Sequence, residues 1–398
     1  MLKKRIARAV VFCLLISILS SLLTSCFDFS LEGVGGGTPS SVSGLFIDGK
    51  KVEPKVPERQ SRSYLEMTEE EKKLYVAAYT ALASGRETFV IRNADYQNLL
   101  DIYADVLVAI LHDFPEFFWL SGYVSANAEY VEGSDLGNVT LSFGVFDYWK
   151  REDLNEARRS FNTALISITN RARQVESDYE RVKFVHDYII GAVSYDEESY
   201  LNGGSTDDKT NAFSNSAYGA LIDGMALCGG YAKLFQAVMH KLGYECDYLT
   251  GTADGGPHAW NLIKLDGDYY YVDITWDDPD TDICLYNYFC VNDEMISRTH
   301  TLDPEFSSIE ATATKYNYHV RENLYFEDYD FAKIRKAITN NADLASVSLR
   351  FKTEEAMEEA ISELIESKKI AEILPSLDKT TYSYIVSRDQ LVIDFIPE

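Results

Sequence analysis

The residues best placed to do chemistry lie between Ser216 and Pro279. Cys228 is followed by Gly229, Gly230, Tyr231 and Ala232. Leu234, Phe235, Val238, Met239 and Leu242 then recur at helical spacing, and Gly243 stands where a C′ glycine ends a helix. Cys228 is thereby set at or just before a helix N-terminus, where aligned peptide dipoles favour a thiolate. The two glycines leave the sulfur uncrowded. A thiolate in that position is a nucleophile in need of a base, and Pro257-His258-Ala259-Trp260-Asn261 offers one.

The elements that must position these groups follow from turn chemistry. Residues 258–265 and 269–276 alternate as strands, and Asp266-Gly267 between them is a strong hairpin signal. A two-residue loop sets Leu265 opposite Asp268 and His258 opposite Thr275, with Asp273 two residues along on the same face. Diagonal neighbours on one face are about 7–8 Å apart at the backbone, within reach of an imidazole and a carboxylate. A three-residue loop would put them on opposite faces. The expected arrangement is a nucleophile–base–orienter triad of Cys228, His258 and Asp273. Taken singly, each residue has an ordinary structural reading: a core cysteine, a satisfied strand histidine, a turn acid. Asp277 and Asp278 compete as the orienting acid. Joint occurrence favours the triad.

These motifs resemble the transglutaminase-like superfamily of papain-type cysteine enzymes. The resemblance rests on Cys228-Gly-Gly-Tyr-Ala, Leu242-Gly-Tyr, Gly251 ahead of His258-Ala-Trp-Asn, and Tyr270-Tyr-Val-Asp273-Ile-Thr-Trp-Asp277-Asp-Pro279. It extends upstream through His186-Asp-Tyr-Ile189, Tyr195-Asp196 and Ser216-Ala-Tyr-Gly219, and downstream through Tyr288-Phe-Cys-Val-Asn-Asp293 and His300. It covers about residues 180–300, and more loosely 95–320. The resemblance implies an α+β fold with a papain-like catalytic core, in which a helix led by the cysteine packs on an antiparallel sheet. It implies a Cys228–His258–Asp273 triad acting on peptide or protein amides. It also implies an aromatic near Tyr195 that supports the oxyanion, although transglutaminases proper place a Trp in that region.

Other chemistries are disfavoured. No GxSxG occurs for a serine hydrolase, and no CxxC pair for a zinc ribbon. No cofactor or metal is implied. His186 lies on an apolar helical face and reads as core, while His112, His240, His300 and His319 show no partner pattern. Trp260 and Trp276 either wall a cleft or pack in the core. Cys246, Cys284 and Cys290 are either buried or disulfide-linked, and spacing does not decide whether Cys284 and Cys290 pair.

The 398 residues carry a formal charge of −26, with 37 Lys and Arg against 63 Asp and Glu. That balance argues against a nucleic-acid partner, because phosphate contacts need cations. The charge is uneven. Residues 1–25 hold Lys3, Lys4, Arg5 and Arg8 and no acid, and an apolar run from Ala9 to Leu23 follows, the pattern of a secretory signal. Leu23-Thr24-Ser25-Cys26 resembles the lipobox of bacterial lipoproteins, which implies cleavage before Cys26 and a lipid on its sulfur. Loss of the four cations would take the charge from −26 to −30.

The expected organisation is a signal over 1–25, a Gly/Ser-rich flexible tether over 26–62 and a helical and hairpin region over 63–176. A catalytic domain over 177–324 and a small α+β module over 325–398 complete it. Thr68-Glu-Glu-Glu predicts a capped helix to about Ser84, and further helices are expected over about 95–112, over 151–174 and from Ser177. A hairpin is expected around Gly133 and Gly137. In the tail, Thr353 is expected to cap a helix running to about Ile373. The reading that results is an exported, membrane-tethered cysteine acyl-transfer enzyme at the bacterial cell surface or periplasm, acting by hydrolysis as a protease or amidase. Its substrate would be a peptide or protein, cell-wall or surface proteins among them. A transglutaminase using an amine acceptor, and a catalytically silent surface scaffold, are the two alternatives.

Overall fold

The computed structural model describes residues 44–130, 136–149, 151–201, 209–279 and 283–398. The signal-like segment, the lipobox and Cys26 lie outside the described residues. No helix among the described residues is long and apolar enough to cross a membrane. Two compact units divide at Ala164 and Leu165.

The first unit is built on a five-stranded antiparallel sheet of order β2-β1-β3-β5-β4. Its strands are β1 (Gly44–Ile47), β2 (Lys50–Val52), β3 (Thr88–Asp95), β4 (Leu120–Tyr130) and β5 (Leu136–Val145). The tether expected over 26–62 is therefore corrected over 44–52. Leu45, Phe46 and Ile47 are buried, and Asp48-Gly49, with φ of 48° and 73°, makes a two-residue turn with both φ positive. Three apolar residues and a hairpin turn outweigh the polar composition around them. Gly137, expected in a turn, instead pairs with Tyr130 inside the ladder.

Helix α1 (Glu69–Ala83) starts with a capping box between Thr68 and Glu71, and Asp95 caps helix α2 (Tyr96–Asp113). Tyr75, Phe89, Tyr103 and Phe143 are among the large buried side chains of this core. Helix α3 (Arg151–Ala172) begins in the first unit and ends in the second.

In the second unit, Ser177 caps helix α4 (Asp178–Ala192), which leads into β6 (Ser194–Tyr195). After β7 (Met225–Ala226) comes helix α5 (Cys228–Leu242). It packs on an antiparallel sheet of order β10-β9-β8-β11: β8 (Cys246–Ala253), β9 (Gly256–Leu265), β10 (Asp268–Val272) and β11 (His300–Leu302). The buried Asn261 of β9 ties the two layers, donating its Nδ2 to Ala232 O at 3.0 Å. Trp260, Leu249, Leu262 and Tyr271 form the apolar centre beneath.

The tail has its own sheet of order β12-β13-β15-β14: β12 (Tyr325–Phe326), β13 (Val347–Phe351), β14 (Tyr382–Ser387) and β15 (Val392–Pro397). Its helix after Thr353 is regular over Glu354–Ala360 and continues as a wider π turn over Ile361–Glu366. The helix then stops at Lys368, which adopts φ of 58°, short of the Ile373 expected. Gln390 donates to Met295 O at 3.1 Å, joining the tail to the sheet region within one compact unit.

Candidate active site

Cys228 is the first residue of α5, and no side chain caps the helix ahead of it. Its backbone N–H stands ahead of the helical ladder, whose first bonds run from Gly230 and Tyr231 N–H to Leu227 O at 2.9 and 3.2 Å. The chain is brought to that point by two pairings. Ser194 and Tyr195 run parallel to Met225 and Ala226, and Leu227 N–H donates to Ser214 O at 2.8 Å. The glycines that follow serve this close approach more than the sulfur. A Cβ on Gly230 would lie 2.4 Å from Ser214 O and 2.7 Å from Ala226 Cβ, and one on Gly229 would lie 2.9 Å from Asn215 Oδ1.

The hairpin has the two-residue loop: Asp268 pairs with Leu265, and Val272 with Asn261. Asp266 and Gly267 both have positive φ, 53° and 92°. The strand ends at Val272, however, short of the 276 expected. Asp273 becomes the N-cap of a short helix α6 (Ile274–Asp277), accepting from Trp276 N–H at 3.3 Å. Thr275 is therefore helical and does not face His258. The turn serves the same end by another route: Asp273 Oδ2 lies 2.7 Å from His258 Nε2. Of the three acids considered, Asp273 meets His258, while Asp277 meets His186 and Asp278 lies 2.6 Å from the Tyr231 hydroxyl.

Electrostatics couple these groups. Burial alone would lower the His258 pKa. The Asp273 charge and the Cys228 side chain, close enough to act on it by charge and hydrogen bond, outweigh burial and raise it to about 10. Burial alone would raise Asp273, but His258 and His300 hold it well below the usual carboxylate range. His300 was missed as a site residue in the sequence. It arrives on β11, and its Nε2 sits 3.0 Å from the same Asp273 Oδ2. Burial and the neighbouring His258 charge lower its pKa, so it serves as a neutral donor to Asp273. Gly251 lets β11 close, since a Cβ there would meet Thr301 O at 2.1 Å.

Tyr195 lies in the same neighbourhood. Burial and then the Cys228 charge raise its pKa, which keeps the phenol protonated. Lys233, one turn along α5, is lowered to about 8 by burial, against the opposing effect of Cys228. Trp260 is core, 1% exposed, whereas the half-buried Trp276 packs beside His258 and His300 with ring centroids 5.7 and 4.8 Å away. His186 is fully buried, as its apolar helical face predicted. Among the described residues, none of Cys228, Cys246, Cys284 and Cys290 is in a disulfide.

With this geometry in place, comparison with known proteins identifies the domain. Residues 166–274 match the transglutaminase-like superfamily, so the chain carries a transglutaminase-like domain that contains Cys228, His258 and Asp273. Among characterised proteins it is similar to the kyphoscoliosis peptidase of Mus musculus, 26% identical over 192 residues, which is 45% of this chain and 28% of that protein. The Homo sapiens kyphoscoliosis peptidase is 25% identical over 145 residues, 33% of this chain and 21% of that one. The chain thus spans under a third of the length of either relative. A solved TGase structure aligns over 40% of this chain and 46% of its own, with 15% identity and a TM-score of 0.29.

Proposed function

We propose that the chain is a cysteine acyl-transfer enzyme that hydrolyses peptide or protein amides. The observation that carries this reading is one line of contacts. Asp273 Oδ2 engages His258 Nε2 at 2.7 Å, which leaves the other ring nitrogen for Cys228 at an uncapped helix start. In this mechanism His258 already holds the proton of the Cys228 thiol at Nδ1, and the thiolate sulfur attacks the amide carbonyl carbon. The Cys228 backbone N–H and the Tyr195 hydroxyl donate to the oxygen that becomes negative. His258 then returns the proton to the departing amine as the C–N bond breaks and a thioester remains. Water attacks the thioester, giving its proton to His258, and the acid leaves with the thiol restored. Asp273 holds the ring and balances the imidazolium, and His300 fixes Asp273.

The test uses purified protein, casein and a labelled primary amine. Hydrolysis predicts casein fragments without label incorporation, and no fragments from Cys228→Ser. Label incorporation without cleavage would replace hydrolysis by amine transfer. No reaction, with Cys228 alkylated no faster than Cys246 at neutral pH, would leave a silent scaffold. We further propose that Cys26 carries a lipid that anchors the enzyme at the cell surface, by the lipobox pattern of residues 23–26. Metabolic palmitate labelling that persists in Cys26→Ala would exclude that anchor.

A further inference from the structure

A second group of buried polar side chains lies outside the triad. His186 and Asp187 are adjacent on α4, where neighbouring residues ordinarily point apart. Here both turn toward Cys284, 98 residues on from His186. His186 Nδ1 is 3.0 Å from Asp187 Oδ1, and Cys284 Sγ is 3.8 Å from that nitrogen and 3.6 Å from that oxygen. Zinc bonds of about 2.0 Å to nitrogen or oxygen and about 2.3 Å to sulfur, held tetrahedrally, place neighbouring ligand atoms about 3.3–3.6 Å apart. The three observed edges bracket that range.

The surroundings match what a ligating histidine needs. His186 Nε2 sits 3.1 Å from Asp277 Oδ2, a fully buried carboxylate, which fixes the ring and leaves Nδ1 for a ligand. The second Asp187 oxygen is held by Lys183 Nζ at 2.6 Å, and that ammonium also donates to the Tyr286 hydroxyl at 2.7 Å. His186 thus has a carboxylate at each ring nitrogen, which an imidazolium satisfies with both N–H groups. A divalent cation between Nδ1 and Asp187 would take the place of the Nδ1 proton, which passes to solvent. Asp187 and Cys284 are half-buried, so an ion and a fourth ligand can reach the open side of the triangle.

We propose that His186 Nδ1, Asp187 Oδ1 and Cys284 Sγ bind a divalent ion of the zinc type, with water in the fourth position. On binding, the Cys284 S–H bond breaks, its proton passes to solvent, and the thiolate and carboxylate together balance the 2+ charge. The ion ties α4 to the chain that follows α6. Through Asp277 it also braces the turn whose N-cap is Asp273.

The test titrates metal-stripped, reduced full-length chain with cobalt(II) and measures zinc content after dialysis. The expected result is one equivalent of zinc, and with cobalt a thiolate-to-metal charge-transfer band together with tetrahedral ligand-field bands. Cys284→Ser should abolish the charge-transfer band and weaken zinc by at least about 100-fold, and Cys228→Ser should leave both unchanged. Should Cys284→Ser fail to fold, Asp187→Asn keeps the thiolate and should weaken zinc by at least about 10-fold. No band at one equivalent, a band that survives in Cys284→Ser, zinc binding unaltered in Asp187→Asn, or a band lost in Cys228→Ser would each overturn the proposal. The readout is independent of turnover, so its failure leaves the hydrolase reading standing.

Discussion

Replacing Asp273 by Asn separates charge from geometry in the proposed triad. The amide oxygen can still accept from His258 and His300, which both approach Oδ2, at 2.7 and 3.0 Å, so ring placement is retained while the amide nitrogen replaces the Oδ1 that accepts from Trp276 N–H. What is lost is a buried negative charge beside His258. Opposite unit charges about 4 Å apart interact by about 4 kcal/mol at an effective dielectric of 20. That is about three pKa units. The His258 imidazolium, which persists to about pH 10 in the native protein, should then be lost near pH 7. The assay needs no substrate. Alkylation of Cys228 by anionic iodoacetate is favoured over neutral iodoacetamide while the imidazolium is present, so the ratio of the two rates against pH reports His258. The native ratio should hold far into the alkaline range, and that of Asp273→Asn should fall around neutrality. A variant profile whose midpoint stays near the native one would refute the claim that Asp273 supplies the charge.

Three further outcomes follow from the same geometry. Tyr195→Phe should lower kcat/KM by about 100-fold, as loss of an oxyanion donor does, while leaving the alkylation rate of Cys228 unchanged. Gly230→Ala should lower the melting temperature, with a cost of about 1–3 kcal/mol, because its Cβ would stand 2.4 Å from Ser214 O. Burial raises the carboxyl of Asp394 to about 7, from an ordinary value of 3.8. An acid raised in the folded state penalises folding as it ionises. The cost is therefore absent below 3.8, grows as pH rises toward 7, and is full above it. Asp394→Asn should stabilise the protein at mildly alkaline pH by about 2–4 kcal/mol and have little effect in acid, as read by denaturant unfolding at both.

Local chemistry in the sequence reached far into this fold. The apolar spacing from Leu234 to Leu242 and the glycine at 243 place Cys228 at a helix start, and Asp266-Gly267 sets the register from Leu265 to Val272. Those are short-range signals, each decided within a turn or a two-residue loop. What lay beyond them depended on tertiary pairing. His300 reaches Asp273 only because β11 closes on Gly251, and no periodicity links positions 27 residues apart. The strand expected to reach 276 stops at Val272 because the Asp273 side chain caps the next turn. Asp48-Gly49 was legible as a turn, but the surrounding polar composition masked it. His186 read correctly as buried, yet its carboxylate partner at Asp277 and its approach to Cys284 come from distant chain segments.

The two buried carboxylates that orient His258 and His186 stand four residues apart on the single turn of α6. A helical residue advances the chain by about 100° around the axis. One residue inserted or deleted between Asp273 and Asp277 would swing one carboxylate away from its histidine while leaving the other seated. Length variation among functional homologues should therefore collect after this pentapeptide and be missing within it and within β10, which leads into it. Single-residue insertions scanned from Asp273 to Pro279 should lose folding inside the pentapeptide and retain it after Asp277.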